Sequence, residues 1–326
     1  MNLKYLEKPE VLIDVAFAKG RKSASIYPKQ KTVFYTIKGK EIAKIDAMGS
    51  YLEETLALIP KEFPSIEHLA PFYRELFILI IDANEVKKAL SHLSSVSKLV
   101  KKLRIKSIVA LKEMPFTHGA SKDAKAISNA FFGRTTSLVK SLSKPIADYD
   151  AAVKKLRELP SIKAQDEVYL LAGLPNAGKT TLMSKITSSK PKIAAYPFTT
   201  QGLNVGSFKR KHLSIQVIDT PGLLDRPLLE RNKIELKAIT ALQYLKGTII
   251  FVVDPFQDIE TQKKLFGEIK KLFSDKGFIV VINKIDLAEE KVIEEAKAAF
   301  EDAYVIVDGN ESNNLKKELK IDETEA

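Results

Sequence analysis

The most chemically specific segment of this 326-residue chain is GLPNAGKT, from Gly173 to Thr180. It matches the pattern G-x-x-x-x-G-K-[ST], and it lies between a predicted strand and a predicted helix, which is the context that the pattern requires. Glycines let backbone N–H groups converge on a phosphate chain, the lysine supplies a cation for the β- and γ-phosphates, and the threonine hydroxyl can ligate Mg²⁺. We therefore predict a nucleoside-phosphate site formed by Asn176, Ala177, Gly178, Lys179, Thr180 and Thr181.

Two further motifs follow in the order that a nucleotide-hydrolysing domain requires. DTPG ends a predicted strand, so that Asp219 can reach a metal through water and the Gly222 N–H can bind a γ-phosphate. NKID also ends a predicted strand, and it contains Asn283, Lys284 and Asp286. A carboxylate there can accept hydrogen bonds from N1–H and the exocyclic amine of guanine, and adenine offers no such donor pair. Alone, NKID could be a strand-to-helix turn capped by Asp286, but together the motifs predict GTP rather than ATP.

Positioning these motifs requires strands that end at one edge of a sheet. Short β-rich runs predict strands at Glu167–Gly173, Leu203–Phe208, Leu213–Asp219, Thr248–Asp254, Phe278–Asn283 and Tyr304–Val307. Amphipathic stretches predict helices near Leu228–Leu245, Ile259–Phe273 and Glu289–Phe300. The turn sequence KRKH and its flanking alternation favour an antiparallel pair for the second and third strands. We predict an α/β fold, a P-loop GTPase domain over residues 161–326 with a mostly parallel, doubly wound sheet.

The first half of the chain has helical periodicity instead. Apolar residues recur every three or four positions over 86–103 and again over 138–156, and Tyr51–Ile59 and Leu69–Ile81 are two more helical candidates. Pro145 should kink or divide the second series, and the segment MPFTHGAS between the two series reads as a loop. We predict a helical bundle domain of about four helices over residues 1–160, with residues 1–45 left unassigned.

Composition narrows the class of protein. Hydrophobic residues make up 45% and charged residues 29% of the chain, which excludes a disordered or collagen-like class. Cysteine is absent, so disulfides, thiolate metal sites and a cysteine nucleophile are excluded, and a reducing compartment is indicated. No apolar run approaches the roughly 20 residues of a membrane span, and the first residues have no signal-peptide pattern. We expect a monomeric cytoplasmic protein with no membrane partner.

The positive charge is concentrated in the helical half. Residues 1–160 contain 28 Lys and Arg against 17 Asp and Glu, whereas residues 161–326 contain 24 of each, so the whole net charge of +11 lies in the first part. On a helix over 86–112, one set of lysines projects away from the apolar face: Lys98, Lys101, Lys102, Lys106 and Lys112. This pattern favours phosphate contacts with RNA, although a solvated lysine-rich surface would have the same pattern.

Three segments carry a resemblance to a known family: GLPNAGKTT, KPKIAAYPFTTQGLNVG and DTPGLLDRPLLERNKIELKAITALQYL. The chain resembles the nucleolar G-protein (Nog) family of ribosome-assembly GTPases, in the Obg-like branch. It ends soon after the second domain, which is typical of a short, archaeal-type member. The resemblance implies that Thr200 ligates Mg²⁺ in the GTP state, with Thr199 as the alternative. Lys179, Thr200 and Gly222 would then act in catalysis, and Thr180, Thr200 and Asp219 would hold the metal.

The chain departs from the family pattern after the last strand. Related GTPases usually have a Ser-Ala pair there that contacts guanine, and this chain has Asp308 and Gly309. We expect the Gly309 N–H to bind O6 of the base, and the role of Asp308 stays open.

A second departure from the family pattern concerns the water molecule that attacks the γ-phosphate during GTP hydrolysis. Leu223 follows DTPG at the place where many switch GTPases have a glutamine, and a leucine cannot orient water by hydrogen bonding. We therefore expect slow intrinsic hydrolysis. Three residues could offset the missing group: Asn176, by holding K⁺ as in some relatives, and Arg226 or Arg231, by supplying charge. The simpler alternatives are a backbone hydrogen bond for the asparagine and ion pairs with Glu230 or Glu235 for the arginines.

The family resemblance, together with these motifs and charges, implies a GTP-hydrolysing assembly factor for the large ribosomal subunit or its precursor. Its helical domain would dock on ribosomal RNA or protein, and its second domain would be the nucleotide switch with Mg²⁺ as cofactor. Two alternatives stay open: an Obg-like signalling or stress GTPase with protein partners, and a module that binds GTP or GDP with negligible turnover.

Overall fold

A computed structural model of the chain describes residues 3–188, 191–196, 202–300, 303, 305–308 and 312–322. The chain divides into two compact units. The first contains Met1–Ser65 and Ile81–Arg157, and the second contains Ile66–Ile80 and Glu158–Ala326. In the part that the structure describes, no helix is both long enough and apolar enough to span a bilayer.

Helices account for nearly all regular structure before residue 160. They are α1 (Pro9–Ser25), α2 (Val33–Glu62), α3 (Pro71–Ile80), α4 (Ala83–Glu113), α5 (Ala120–Lys140) and α6 (Ser143–Glu158). The prediction of about four helices was therefore too low, because the described part of residues 1–160 contains six α-helices. The series over 138–156 divides between α5 and α6, as Pro145 in the first turn of α6 predicted.

Most of the described part of the unassigned residues 1–45 lies in α1 and the start of α2, for physical reasons that the sequence contains. Pro9 occupies the first position of α1, where its missing N–H costs no hydrogen bond. The hydroxyl of Thr32 accepts a hydrogen bond from the Tyr35 N–H at 3.3 Å and caps α2. Gly20 lies against the backbone of Lys44, where an added Cβ would come within 3.2 Å of the carbonyl oxygen. The small residue therefore lets α1 and α2 pack closely.

The core of the first unit is built from one face of each long helix. α2 packs against α1, α4 and α5, and α4 also packs against α5. The fully buried side chains on these helices recur at helical spacing, and they include Ile45, Leu52, Leu56, Leu93, Val100 and Phe131.

The second unit contains a seven-stranded sheet with helices on both faces. Its strands are β1 (Glu167–Ala172), β2 (Lys192–Ala194), β3 (Leu203–Arg210), β4 (Leu213–Asp219), β5 (Lys246–Val253), β6 (Gly277–Ile282) and β7 (Val305–Val307). The order is β2-β3-β4-β1-β5-β6-β7. The pairs β1–β4, β1–β5, β5–β6 and β6–β7 are parallel, whereas β2–β3 and β3–β4 are antiparallel. The predicted mostly parallel α/β fold and its antiparallel pair are confirmed.

In the described part of this unit, further α-helices pack with the sheet: α7 (Lys179–Ile186), α8 (Lys233–Gln243), α9 (Ile259–Leu272), α10 (Glu290–Ala299) and α11 (Asn313–Leu319). The helix predicted near Leu228–Leu245 is shorter than expected, because α8 starts only after Asn232. The Asn232 side chain accepts from the Glu235 N–H at 2.8 Å, and the Glu235 carboxylate accepts from the Asn232 N–H at 3.1 Å. This reciprocal capping box sets the first turn of α8.

The short helix α3 packs in the second unit, although it lies between α2 and α4 in the chain. Phe72 and Leu76 are fully buried in the core on one face of the sheet. Tyr73 Oη lies 2.9 Å from the Pro160 carbonyl and accepts from the Ile162 N–H at 2.7 Å. The sequence analysis placed all of residues 1–160 in the helical domain. In the structure, the segment Ile66–Ile80 belongs instead to the second unit.

Gly247 provides a test of the sheet packing. Its φ is +149°, and an added Cβ would lie 1.8 Å from the Val168 carbonyl oxygen on the neighbouring strand. We expect Gly247→Ala to lower the free energy of unfolding by about 3 kcal/mol or more, through backbone strain and overpacking together. Chemical denaturation measures this change.

The matched control is Gly267→Ala, which lies inside α9 with no heavy atom within 4 Å of the added Cβ. Alanine is the better helix former there, and the free energy of unfolding should rise by about 0.5 to 1 kcal/mol. Equal effects of the two substitutions would contradict the predicted close approach of β1 and β5.

Candidate functional site

The loop that follows β1 leads directly into α7, and its geometry depends on close backbone contacts. Gly178 has φ +93° and precedes the first residue of α7. An added Cβ there would lie 2.2 Å from the amide nitrogen of Asn283. The Asn283 amide donates to the Ala177 carbonyl at 3.0 Å. The loop is therefore fixed from two sides, by its own helix and by the segment after β6.

A cavity of about 520 Å³ opens between this loop and the end of β4. It is lined by Pro175, Asn176, Gly178, Lys179, Thr180, Thr181, Asp219, Pro221, Gly222 and Asp225. The structure thus brings together most of the residues predicted from GLPNAGKT and DTPG. Sequence reasoning did not single out Asp225.

The Lys179 ammonium lies inside this loop. Its Nζ donates to the carbonyls of Gly173 and Leu174, both at 2.8 Å. The residue is 7% exposed, and burial lowers the pKa of its ammonium, while the charges of Asp225 and Asp219 act in the opposite direction. Because both hydrogen-bond acceptors are neutral carbonyls, the ammonium is available to a polyanion in the cavity.

Asp219 ends β4 and is fully buried. Its Oδ2 accepts from the Thr180 hydroxyl at 2.6 Å and from the Asn204 amide at 3.0 Å. Its Oδ1 has no hydrogen-bond donor among the residues that the structure describes. An unsatisfied buried carboxylate oxygen beside a hydroxyl is a donor set that suits a hard cation such as Mg²⁺, which binds few protein oxygens and keeps waters or phosphate oxygens as its other ligands.

The segment after DTPG is held by side chains on both sides of Gly222. The Gly222 N–H donates to Asp225 Oδ2 at 2.8 Å, and the Gly222 carbonyl accepts from Arg231 Nη1 at 2.6 Å. Arg231 Nη2 lies 3.4 Å from Asp225 Oδ1. Burial lowers the pKa of the Arg231 guanidinium, and the charge of Asp225 opposes that effect. Arg231 thus pairs with Asp225 rather than with Glu230 or Glu235, the partners that the simpler alternative gave for the two arginines.

One neighbour of this segment, Arg226, agrees with its simpler alternative. Arg226 pairs with Glu235 at 3.1 Å, as the ion-pair alternative predicted. Leu223 is 1% exposed and belongs to the hydrophobic core, so its side chain does not line the cavity. Asn176 is exposed at the cavity with φ +63°, and a role in holding K⁺ stays a prediction.

The NKID segment contacts the loop rather than the cavity. Lys284 Nζ pairs with Asp254 Oδ2 at 2.7 Å. Burial would raise the pKa of Asp254, but hydrogen bonds from Lys284, Gln257 and the Phe256 N–H outweigh it, so the pKa of that carboxyl lies below its usual value. The Gln257 amide also donates to the Pro175 carbonyl at 3.0 Å. Asn283 and Lys284 thus brace the loop, and sequence reasoning missed Asp254, Gln257 and Asn204.

Asp286 lies on an exposed turn just beyond β6. The following helix α10 begins only at Glu290, so the alternative that Asp286 merely caps a helix does not hold.

Asp308 is 2% exposed, and its Oδ2 accepts from the Leu315 N–H at 3.1 Å in α11. This contact fixes α11 at the carboxyl end of β7. Thr199, Thr200 and Gly309 lie outside the described residues.

Two family models match successive parts of the chain. A family model described as the NOG1 N-terminal helical domain matches residues 2–163. A second model, described as a 50S ribosome-binding GTPase, matches residues 168–284. The boundary between the two matches falls at the start of β1.

Similar proteins come from archaea and eukaryotes. The chain is 36% identical over 289 residues to an uncharacterized protein of Methanocaldococcus jannaschii, a match that covers 87% of this chain and 79% of the relative. It is 32% identical over 321 residues to nucleolar GTP-binding protein 1 of Saccharomyces cerevisiae, covering 95% of this chain and 49% of that relative. The chain therefore spans about half the length of the yeast protein. A solved Plasmodium falciparum structure named for nucleolar GTP-binding protein 1 is 30% identical with a TM-score of 0.42, covering 49% of this chain and 85% of that one.

Proposed function

Because the chain belongs to the NOG1 family of GTPases, we propose that it binds and hydrolyses GTP and acts in assembly of the large ribosomal subunit. The observation that carries the enzymatic part is the cavity in which the Lys179 ammonium and the buried Asp219 carboxylate lie together. Release of inorganic phosphate from GTP, compared with ATP, tests this proposal.

In the proposed reaction, the loop N–H groups and Lys179 bind the β- and γ-phosphates. Water attacks the γ-phosphorus, the bond to the β–γ bridging oxygen breaks, and GDP and inorganic phosphate leave. The Gly222 N–H binds the γ-phosphate, so loss of that group releases the segment after DTPG. Leu223 cannot orient the water, which supports slow intrinsic hydrolysis and activation by a bound partner.

The proposed metal site uses Thr180 and Asp219, with Thr200 as a further ligand. The unsatisfied Asp219 Oδ1 supports this assignment. Mg²⁺ bound there would neutralise charge on the β- and γ-phosphates. The Thr180 hydroxyl, which donates to Asp219 at 2.6 Å, is already oriented toward the same carboxylate.

The proposed guanine contact is the Asp286 carboxylate. Asn283 joins this turn to the phosphate loop through the Ala177 carbonyl, which fixes the distance between base and phosphate sites. Because Asp308 is engaged with α11, we assign it a structural role and keep the Gly309 N–H as the proposed contact to O6.

The proposed docking surface is the exposed face of α4 in the first unit. Lys98, Lys102 and Lys106 are exposed, and no carboxylate in the described part of the chain lies within ion-pair distance of them. Lys101 differs, because it pairs with Glu53 at 3.2 Å. Three aliphatic side chains, each more than 40% exposed, lie on the same half of the helix: Leu99, Ile105 and Val109. Exposed aliphatic groups among unpaired lysines favour a surface that a partner covers over one that stays solvated.

We expect charge reversal of Lys98, Lys102 and Lys106 to glutamate to weaken binding of the full chain to large-subunit ribosomal RNA. Each lysine that contacts a phosphate contributes about 0.7 to 0.9 to the slope of log affinity against log salt, so the slope should flatten by up to about 2 to 3. Titrations between low and physiological salt measure it.

The matched control changes three exposed lysines of α9 to glutamate: Lys263, Lys264 and Lys271. We expect it to leave the slope of log affinity against log salt unchanged, apart from the effect of net charge that both variants share. Equal losses in both variants would contradict a specific surface on α4. They would favour the alternative in which partners are proteins and the basic residues only add solubility.

A further inference from the structure

Asp225 contacts the same backbone N–H that the proposed function assigns to the γ-phosphate. The Gly222 N–H donates to Asp225 Oδ2 at 2.8 Å, and Asp225 lines the cavity together with Lys179 and Asp219. One N–H cannot donate fully to a carboxylate and to a phosphate oxygen at once. A γ-phosphate that takes this donor must therefore displace the carboxylate.

A second contact holds Asp225 in place. Its Oδ1 lies 3.4 Å from Arg231 Nη2, and the Arg231 side chain is 0% exposed while that of Asp225 is 14% exposed. The same guanidinium donates to the Gly222 carbonyl at 2.6 Å and to the Arg226 carbonyl at 3.1 Å. Gly222, Asp225 and Arg231 therefore form a closed set of contacts at the wall of the cavity.

The charges of these residues favour competition between the Asp225 carboxylate and a γ-phosphate. The Asp225 carboxylate acts electrostatically on Lys179, the cation that the β- and γ-phosphates need. A phosphate oxygen that approaches Lys179 and the Gly222 N–H meets a like charge in Asp225, which disfavours both anions in one small site. A nucleoside diphosphate lacks the γ-phosphate and meets no such competition at Gly222.

We propose that Asp225 is a specificity-determining residue that competes with the γ-phosphate for the Gly222 N–H and so favours GDP over GTP until it is displaced. The inference rests on the proposed function, because it presumes that the cavity binds guanine nucleotides. Arg231 is the positioning residue, since it holds the carboxylate against Gly222 in the competing arrangement.

The test compares Kd for GDP and for a non-hydrolysable GTP analogue in the full chain, by titration with fluorescent nucleotides. Asp225→Ala removes the competing anion, so the affinity ratio should shift toward the triphosphate by about tenfold while GDP affinity stays within about twofold. Asp225→Asn keeps the shape and one acceptor but removes the charge, and it should shift the ratio in the same direction by a smaller factor. If the alanine variant does not fold, the asparagine variant carries the test.

The control is Glu235→Gln, which neutralises the other carboxylate–arginine pair of this segment, outside the cavity. Its affinity ratio should equal that of the wild type. A ratio unchanged in both Asp225 variants, or shifted toward GDP, overturns the inference and leaves the proposed function intact. Failure of the wild type to bind either guanine nucleotide would instead overturn the proposed function and this inference with it.

Discussion

Replacing Lys179 by methionine should lower the rate of GTP hydrolysis by about 10² to 10³, the loss expected when one preorganised charge is removed from a transition state. The methionine side chain keeps most of the lysine stem volume and lacks the ammonium. Among the described residues, Lys179 Nζ donates to two neutral carbonyls, both at 2.8 Å, so its charge is directed at whatever anion enters the cavity. Single-turnover measurement of phosphate release gives the rate.

The same substitution should cost little stability, which separates a chemical role from a structural one. Lys179 is buried and its pKa is lowered by that burial, so the folded protein keeps this charge at an energetic disadvantage. We expect the free energy of unfolding of Lys179→Met to lie within about 1 kcal/mol of the wild type, because lost hydrogen bonds and relieved desolvation offset each other.

The control for this pair of measurements is Lys263→Met on α9, where a 45% exposed lysine lies away from the cavity. It should change neither the rate nor the stability appreciably. If Lys179→Met hydrolyses GTP at the wild-type rate, the cavity is not the catalytic site, whatever the nucleotide affinity.

The second unit could be predicted closely from the sequence because its signals are local. Each buried strand is a short β-rich run, and the loop at Gly173 is recognisable from spacing alone. The start of α8 could also have been found, since Asn232 and Glu235 form a capping box in adjacent sequence. What misled the prediction there was the continuous apolar pattern from Leu228 onward.

The placement of α3 could not be predicted in this way. Its apolar face is visible in the sequence, but the sequence does not say which core that face joins. The answer depends on distant partners: Phe72 stacks on Tyr196 at 6.5 Å between ring centroids, and Tyr196 Oη donates to the Ala238 carbonyl at 2.7 Å. α3 thus packs beside α8, the helix that follows the Gly222 segment. The contact between Phe72 and Tyr196 joins residues more than a hundred positions apart, and single-sequence patterns do not report such contacts.

Sequence patterns identified residues that line the cavity or brace its loop, and they missed residues that hold those side chains in place. Motif patterns name Lys179, Asp219 and Asn283 because each motif has fixed residue types at fixed spacing. Asp254 was missed because it belongs to no motif: its Oδ2 pairs with Lys284 Nζ at 2.7 Å and orients that side chain. Such supporting residues have no fixed spacing from the motif they serve, so only the folded chain reveals them.

Replacing Asp286 by asparagine should lower GTP affinity by about 10²-fold, because one of the two proposed hydrogen bonds from guanine is lost, its amine faces the asparagine NH₂, and the other bond loses its charged acceptor. The same change should raise affinity for xanthosine triphosphate, since xanthine carries a carbonyl where guanine carries the exocyclic amine, and an asparagine amide can donate to it. Asp286 is exposed on its turn, so the substitution should leave the fold unperturbed.

Competition binding with GTP, ATP and xanthosine triphosphate measures the change in preference, and Glu290→Gln is the matched control, an exposed carboxylate at the start of α10. The decisive result is a loss of GTP affinity together with a gain of affinity for xanthosine triphosphate. Loss of GTP affinity without a gain for the xanthine nucleotide would indicate a damaged turn, and unchanged GTP affinity would remove the guanine assignment. A gain for xanthosine triphosphate in the Asp286 variant alone would link this carboxylate to the 2-position of the base, which no general loss of stability can imitate.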